Sequence, residues 1–249
     1  MNTREWLDEK FYKPVAICSE LKGSFDGEPS RKVYQHLANF GMYKPSRKTK
    51  EIYDALVKED VWAKCERLYL KYKRLWKGPE IPIYIFPFNQ SSRSSDNKSG
   101  LSFPDMLFLF IGDIEEDKEL EALFIHEYHH VCRIYYQKKD VDDYNLLDSI
   151  ILEGLAEHAV KNHCGEKYNA DWCRKYKEDD LEIFWENYLQ ENLDINKSEY
   201  LHDALLFGLG SFPEMLGYCY GFHLITKFRK QKSFSEKTYF DLRSEEFLM

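Results

Sequence analysis

Residues 126–130 read HEYHH, and this short segment constrains the fold more than any other part of the chain. It lies inside a segment, near residues 115–138, in which apolar residues recur with helical periodicity. Residues four apart share one face of a helix, so His126 and His130 are predicted to converge on a single cation. Glu127 is rotated by one residue, which places its carboxylate beside the metal as a general base for water. The pattern H-E-x-x-H therefore predicts a hydrolytic metal site.

A second motif, EGLAE at residues 153–157, lies in the next helical segment, near residues 143–163. A hydrolytic zinc site uses three protein ligands and keeps one position open for water. We assign Glu153 as the third ligand and expect Glu157, one turn later, to accept the second N–H of a ligand imidazole. Spacing alone also allows the reverse, with Glu157 as the ligand. Zinc is the default metal, because imidazole and carboxylate ligands in a tetrahedral site suit it.

Small residues predict close contacts between helices at two places. Gly154 and Ala156 lie inside the acidic motif and would let its helix approach the histidine-bearing helix. Gly217 and Gly221, four residues apart in the last predicted helix, would let another helix or strand lie close.

The last predicted helix also offers donors for the oxyanion that develops during acyl transfer. Tyr218, Tyr220 and His223 are the candidates. Tyr218 and Tyr220 flank the glycine pair, whereas His223 points more nearly away, so we favour Tyr218 as a catalytic residue. Packing is the alternative role for each of them, because aromatic side chains usually serve the core.

Three residues beside the histidine motif receive other assignments. His129 is expected to have a role other than metal binding, and Cys132 is expected to be a small buried core residue. Arg133 shares a face with His130 and could bind a substrate carboxylate, although such an arginine more often pairs with an acid on a helix.

The periodicity of apolar residues and the positions of proline and glycine predict an α+β protein. It has a small mixed sheet packed on the active-site helix and a mostly helical C-terminal part. Ser46 is expected to cap one long helix that ends at Gly78-Pro79. That helix covers residues 47–76, and further helices are predicted at residues 115–138, 143–163, 179–192 and 198–207, and from Pro213 to about Lys230.

Three short apolar runs predict the strands of the sheet. Residues 81–87 contain two prolines and therefore suit an edge strand. Leu101–Phe103 and Met106–Ile111 are the other two, one of them well buried, and residues 89–100 are expected to form a flexible polar loop.

The whole chain, residues 1–249, is expected to form one catalytic unit. Within it, residues 1–78 form a helical N-terminal region, and residues 79–138 carry the sheet and the H-E-x-x-H helix. Residues 139–249 form a helical lobe that carries the third ligand.

Composition excludes several classes of protein. The chain has 35 Lys plus Arg and 43 Asp plus Glu, which gives a formal net charge of −8. This acidity argues against a general nucleic-acid binder, because phosphate binding needs a basic face. No apolar run approaches the roughly 20 residues that span a bilayer, so no integral membrane segment is expected. With no signal-like N-terminus and no C-x-x-C pair among the 6 cysteines, we expect a cytoplasmic protein with reduced thiols.

The stretches HEYHHVCR, LLDSIILEGLAEH and GYCYGFHLITKF resemble the YjaZ-like family of predicted bacterial zinc-dependent proteases. The resemblance covers roughly residues 80–230. It implies a zincin-like fold, in which a small sheet lies on an active-site helix and a mostly helical part follows.

The order of the two motifs is also similar to that of gluzincin metallopeptidases. This likeness implies His126 and His130 as zinc ligands, Glu127 as the base and Glu153 as the third ligand. It further implies that Glu157 orients a ligand histidine, at a position where thermolysin-like enzymes carry Asp.

The leading hypothesis is zinc-dependent hydrolysis of peptide bonds, with an extended peptide pairing along the strand at Leu101–Phe103. A non-proteolytic zinc amidohydrolase would use the same ligands and base. A catalytically silent zincin-like binding module would instead fill all four zinc positions from the protein, with His129 or His158 as the fourth ligand. His129 is disfavoured, because it lies about 300° around the helix from His126.

Overall fold

The structure is a computed structural model that describes residues 3–89, 97–232 and 236–248, with the side chains of 236–238 left aside. The chain divides into two compact units, Met1–Glu127 and Tyr128–Met249. The predicted loop at 89–100 falls mostly on residues 90–96, which lie outside the described residues.

The first unit combines helices with a small sheet. Its elements are α1 (Thr3–Lys10), α2 (Pro14–Ile17), α3 (Ser30–Asn39), α4 (Arg47–Lys58), α5 (Val61–Trp76), β1 (Ile83–Pro87), β2 (Lys98–Ser102), β3 (Leu107–Ile111) and the start of α6 (Asp117–Gln137). Helix α6 continues without a break into the second unit.

The predicted long helix over residues 47–76 is wrong, because the chain forms two helices there, α4 and α5. Asp60 between them adopts the left-handed conformation with φ +52°, which Asp tolerates better than most residues. The apolar periodicity continues on both sides of this turn, so the pattern alone does not reveal it. Ser46 caps α4 as predicted, and its hydroxyl accepts the N–H of Thr49.

Within the described residues, three strands form one mixed sheet in the order β1-β3-β2. β1 is parallel to β3, and β2 is antiparallel to it. All of β3 is buried, which confirms the one well-buried strand, and β1 lies at an edge as its prolines predict. β2 begins at Lys98 and not at Leu101, because Lys98, Ser99 and Gly100 also pair with β3. The prediction of a loop over residues 89–100 is therefore wrong for its last three residues. The α+β class is confirmed.

The second unit is helical. Its elements after α6 are α7 (Leu146–Cys164), α8 (Glu178–Phe184), α9 (Tyr200–Phe207), α10 (Leu216–Gln231) and α11 (Glu236–Asp241). The helix predicted at 179–192 is shorter, because α8 passes into a π-helical turn at Trp185–Leu189.

The prediction that Pro213 starts the last helix is wrong. Helix α10 begins at Leu216, after Met215 has adopted φ +58° and donated its N–H to the carbonyl of Phe207. A Cβ on Gly208 would lie 1.9 Å from the carbonyl oxygen of Pro213. The chain thus folds back tightly on the end of α9 before α10 can start.

Glycines bring α7 and α10 together. A Cβ on Gly154 would lie 2.3 Å from the carbonyl oxygen of Gly221, and one on Gly221 would lie 2.2 Å from that of Ile150. The prediction of a close approach at Gly221 is confirmed. Helix α10 fills the space beside Gly154. The prediction that Gly154 lets α7 approach the histidine-bearing helix is therefore wrong.

Two predictions from composition can also be compared with the structure. Four of the cysteines are buried and two are half-buried, and none forms a disulfide in the part of the chain that the structure describes. None of the helices in the described residues combines the length and the apolar composition that a membrane span needs.

Candidate metal centre

Helix α6 carries the two histidines one turn apart. The side chains of Tyr128, Val131 and Cys132 are fully buried, and this packing fixes the rotation of the helix about its axis. His126 is half-buried and His130 is buried. Burial raises the pKa of the Cys132 thiol, which agrees with its predicted role in the core.

Glu153 comes from α7, which begins at a capping box formed by Asn145 and Asp148. Its Oε2 lies 3.5 Å from Nε2 of His130. His126, His130 and Glu153 each offer a ligand atom, and these atoms lie within 4.8 Å of one another. Ligand atoms bound about 2.0 Å from a tetrahedral zinc lie roughly 3.3 Å apart, so the spacing suits that ion.

The donor set also fits zinc chemically. Two imidazole nitrogens and one carboxylate oxygen are ligands that zinc accepts, and a set of three leaves a position for water. The structure therefore brings together the three residues assigned as ligands from spacing. Glu157 is not part of this group, which supports the first assignment over its reverse.

The Glu127 carboxylate is buried and held by the edge strand β2. The hydroxyl of Ser102 donates to Oε2 of Glu127 at 2.6 Å and lies 3.0 Å from the Glu127 carbonyl oxygen. Gly100 makes room for this side chain, because a Cβ there would lie 2.3 Å from its Cγ and Cδ atoms. Sequence reasoning missed both residues; the signal was a pair of small residues two apart on one face of the strand.

Glu157 is buried and anchors the segment that follows α7. Its Oε2 accepts the side-chain N–H of Asn169 at 2.7 Å and the backbone N–H of Ala170 at 2.9 Å. Burial, and then the negative charge of Glu157, raise the pKa of the Cys173 thiol 3.5 Å away. Orientation of a ligand histidine by Glu157 stays a prediction.

Tyr218 makes packing contacts. Its ring lies 5.2 Å from that of Trp172 and 5.6 Å from that of Phe207, centroid to centroid. Tyr220 is buried and stacks on Trp185 at 4.9 Å. These contacts match the packing alternative, and the catalytic role of Tyr218 stays a prediction.

His158 is held by helix α10. Its Nε2 lies 3.1 Å from the carbonyl oxygen of Phe222 and 3.0 Å from the hydroxyl of Thr226. The guanidinium of Arg229 donates to its Nδ1 at 2.8 Å. Burial lowers the pKa of His158 to about 4. Both ring nitrogens are engaged in these contacts, so His158 is not available as a fourth zinc ligand.

His129 and Arg133 contact the C-terminal segment. The ring of His129 packs on Phe240 at 4.7 Å. The buried guanidinium of Arg133 donates to the carbonyl oxygen of Tyr239 at 2.8 Å and that of Leu242 at 3.3 Å. The hydroxyl of Ser244 also lies 3.3 Å from its Nη2. In the part of the chain that the structure describes, Arg133 thus holds the C-terminal segment and forms no ion pair with a helix acid, and its burial does not suit the binding of a substrate carboxylate.

A second group of potential ligands consists of Glu178, Glu182 and His223. Oε1 of Glu182 lies 2.8 Å from Nε2 of His223 and 2.8 Å from Nζ of Lys227. Hydrogen bonds from Lys227 and His223 lower the pKa of Glu182. The lysine already supplies positive charge to this carboxylate, so the group is an ion-pair cluster.

Comparison with known proteins agrees with the motifs. The family model described as "Predicted Zn-dependent protease (DUF2268)" matches residues 61–249. The chain is 34% identical over 220 residues to "Uncharacterized protein YjaZ" of Bacillus subtilis (strain 168), which covers 87% of this chain and 84% of that protein. No solved structure gives a significant match. The chain therefore belongs, as its motifs predict, to the YjaZ-like family of predicted Zn-dependent proteases.

Proposed function

We propose that this protein is a zinc-dependent metallopeptidase. The observation that carries the proposal is the convergence of ligand atoms from His126, His130 and Glu153 within 4.8 Å of one another. Zinc held by these residues would lower the pKa of a bound water toward about 7 and polarise the carbonyl under attack. The description of the family as predicted Zn-dependent proteases supports the same activity.

Glu127 follows His126 on α6 and acts as the general base. Its carboxylate takes a proton from the attacking water while the water oxygen bonds to the peptide carbonyl carbon. The same group then passes the proton to the leaving amine as the C–N bond breaks, which restores the base. Tyr218 is the candidate donor to the developing oxyanion.

An extended peptide is the substrate that suits the sheet. β2 is half-buried and, among the described residues, pairs with β3 alone. An open edge of this kind offers backbone groups to a substrate strand. The same strand carries Ser102, which contacts the Glu127 carboxylate. A peptide paired along β2 would thus lie beside the base, which favours a peptidase over an amidohydrolase for small molecules. A strand in this position beside an H-E-x-x-H helix also supports the zincin-like fold.

The silent binding module is the less well supported alternative. It requires a fourth protein ligand, and His158 is engaged by Phe222, Thr226 and Arg229. An open coordination position is what hydrolysis needs.

The proposal is tested with Glu127→Gln, which keeps the size of the side chain and removes the base. We expect the variant to bind zinc as the wild type does and to cleave casein or a peptide library about 10²–10⁴-fold more slowly. The exposed Glu66→Gln serves as the matched control and should cleave at the wild-type rate. Unchanged cleavage by a zinc-loaded Glu127→Gln would remove Glu127 from the mechanism.

A further inference from the structure

One face of β2 lies along helix α6. Successive side chains of a strand alternate between its faces, so Lys98, Gly100 and Ser102 share one face. Nζ of Lys98 lies 3.1 Å from Oε2 of Glu119 near the start of α6. Gly100 and Ser102 both adjoin Glu127, further along the same helix. Contacts at Lys98 and at Gly100 and Ser102 thus align the strand with the helix, and Glu127 lies at the second of these places.

The Ser102 hydroxyl is bonded to Glu127 at a distance typical of strong hydrogen bonds. A separation of 2.6 Å falls in the range of O–H···O⁻ bonds, which are about twice as strong as neutral ones. The same oxygen lies 3.0 Å from the Glu127 backbone carbonyl. One serine hydroxyl therefore contacts both the carboxylate and the backbone carbonyl of Glu127. These two contacts select one rotamer of the glutamate side chain.

Gly100 defines the other side of the carboxylate. A Cβ at this position would lie 2.5 Å from Oε1 of Glu127. Ser102 engages Oε2, so Oε1 is the oxygen beside the bare Cα of Gly100. Any side chain at residue 100 would clash with Oε1 in this position.

We propose that Ser102 is a positioning residue for catalysis. Its hydroxyl holds Oε2 of Glu127 and thereby fixes the carboxylate, which leaves Oε1 as the oxygen that would exchange the proton with the water and the leaving amine. The serine lies on the strand that would pair with the peptide, so one element aligns both the substrate and the base. This inference rests on the proposed peptidase function, and it adds a residue that neither motif contains.

The test compares Ser102→Ala and Ser102→Thr in the zinc-loaded full chain. A hydrogen bond to a charged group contributes about 1.5–3 kcal/mol, so we expect kcat of Ser102→Ala to fall about 10–100-fold with KM unchanged. Ser102→Thr keeps the hydroxyl and should recover most of kcat. Ser19→Ala, which also removes a serine hydrogen bond, is the control and should keep the wild-type kcat.

A second readout needs neither zinc nor activity. In the metal-free protein, urea unfolding of wild type, Ser102→Ala, Glu127→Gln and the double variant forms a double-mutant cycle. We expect the two substitutions to be non-additive, with Ser102→Ala lowering the unfolding midpoint less when Glu127 is already replaced.

The outcomes separate the two proposals. If Glu127→Gln abolishes cleavage while Ser102→Ala keeps the wild-type kcat, the positioning role falls and the peptidase function stands. An equal loss in Ser102→Ala and Ser102→Thr, or additive unfolding effects, likewise overturns the positioning role. If Glu127→Gln cleaves at the wild-type rate, Glu127 is not the base and the positioning role falls with it. If the zinc-loaded wild type cleaves no peptide, the peptidase function falls.

Discussion

At the scale of single residues, two buried carboxylates one turn apart on α7, those of Glu153 and Glu157, make different contacts. Oε2 of Glu153 lies 3.5 Å from Nε2 of His130. Oε2 of Glu157 accepts N–H groups of Asn169 and Ala170 instead. These contacts favour zinc binding by Glu153 and anchoring of the next segment by Glu157.

Replacing each glutamate by glutamine tests this division. Glu153→Gln removes the charge of a proposed ligand, so we expect zinc affinity to fall by more than about 100-fold. Glu157→Gln should cost no more than the roughly 10–100-fold typical of residues that support a ligand. Competition with a chromophoric chelator measures both affinities. The opposite order of losses would make Glu157 the ligand.

His158 predicts a dependence of stability on pH. Its pKa is lowered by burial to about 4 in the folded protein, against about 6.5 in an unfolded chain. Between these values the unfolded chain binds a proton that the folded protein does not, so stability falls as pH drops from about 6.5 to about 4. The pKa difference corresponds to about 3 kcal/mol.

Urea unfolding of the metal-free protein at pH 7 and pH 4.5 measures this contribution. His158→Gln should lose about 2–3 kcal/mol less than the wild type between the two pH values. The comparison cancels the pH dependence of groups distant from His158, which is common to both proteins. Parallel losses in the two proteins would show that His158 does not carry the effect.

How far single residues can be predicted depends on whether the contact is local. His126 and His130 could be paired from the sequence, because residues one turn apart share a helix face in any fold. Glu153 could be added because a hydrolytic zinc site needs a third protein ligand. The contact of Ser102 with Glu127 could not, because it depends on how a strand lies along a helix 25 positions away. The partners of Arg133 are backbone carbonyls more than 100 positions away, which no pattern reveals.

At the scale of elements, the crossing of α7 and α10 depends on two glycines. Gly154 and Gly221 each leave a space that the backbone of the other helix fills. Glu153 is the neighbour of Gly154, so this crossing also fixes where the third candidate ligand lies.

Gly154→Ala should therefore destabilise the protein and weaken zinc binding. The added methyl would meet the backbone oxygen of Gly221 at 2.3 Å, and overpacking typically costs about 1–3 kcal/mol. Gly23→Ala is the control, because nothing lies within 4 Å of a Cβ there. Thermal unfolding and zinc titration follow the two effects. A Gly154→Ala protein as stable as Gly23→Ala would contradict the close crossing.

Element boundaries were the weaker part of the sequence prediction. The type of each main element was right, because apolar periodicity records which face is buried. The turn at Asp60 and the late start of α10 at Leu216 escaped it. Both depend on residues with positive φ, Asp60 and Met215. Neither is a glycine, so the usual sequence signal for that conformation is missing.

At the scale of the whole molecule, the C-terminal segment is an integral part of the second unit. Phe247 is fully buried. Its ring lies 4.7 Å from that of Phe228 and 5.6 Å from the guanidinium of Arg133. Ser244 adds a hydrogen bond to the Asp148 carboxylate at 2.6 Å. The segment thus contacts α6, α7 and α10.

Phe247→Ala should destabilise the protein by about 3–5 kcal/mol, the usual cost of emptying a buried phenylalanine site. Ile183→Ala removes a side chain that is 53% exposed and should change stability by less than about 0.5 kcal/mol. Chemical denaturation measures both. A Phe247→Ala protein with wild-type stability would show that the C-terminal segment is dispensable.

Peptide hydrolysis by zinc held at His126, His130 and Glu153 is the proposed activity of the whole molecule. The most direct test is the cleavage of a peptide library by the purified full chain, before and after removal of metal with a chelator. We expect cleavage that the chelator abolishes and that one equivalent of zinc restores. Cleavage that persists without metal, or a zinc-loaded protein that cleaves no peptide, would contradict it.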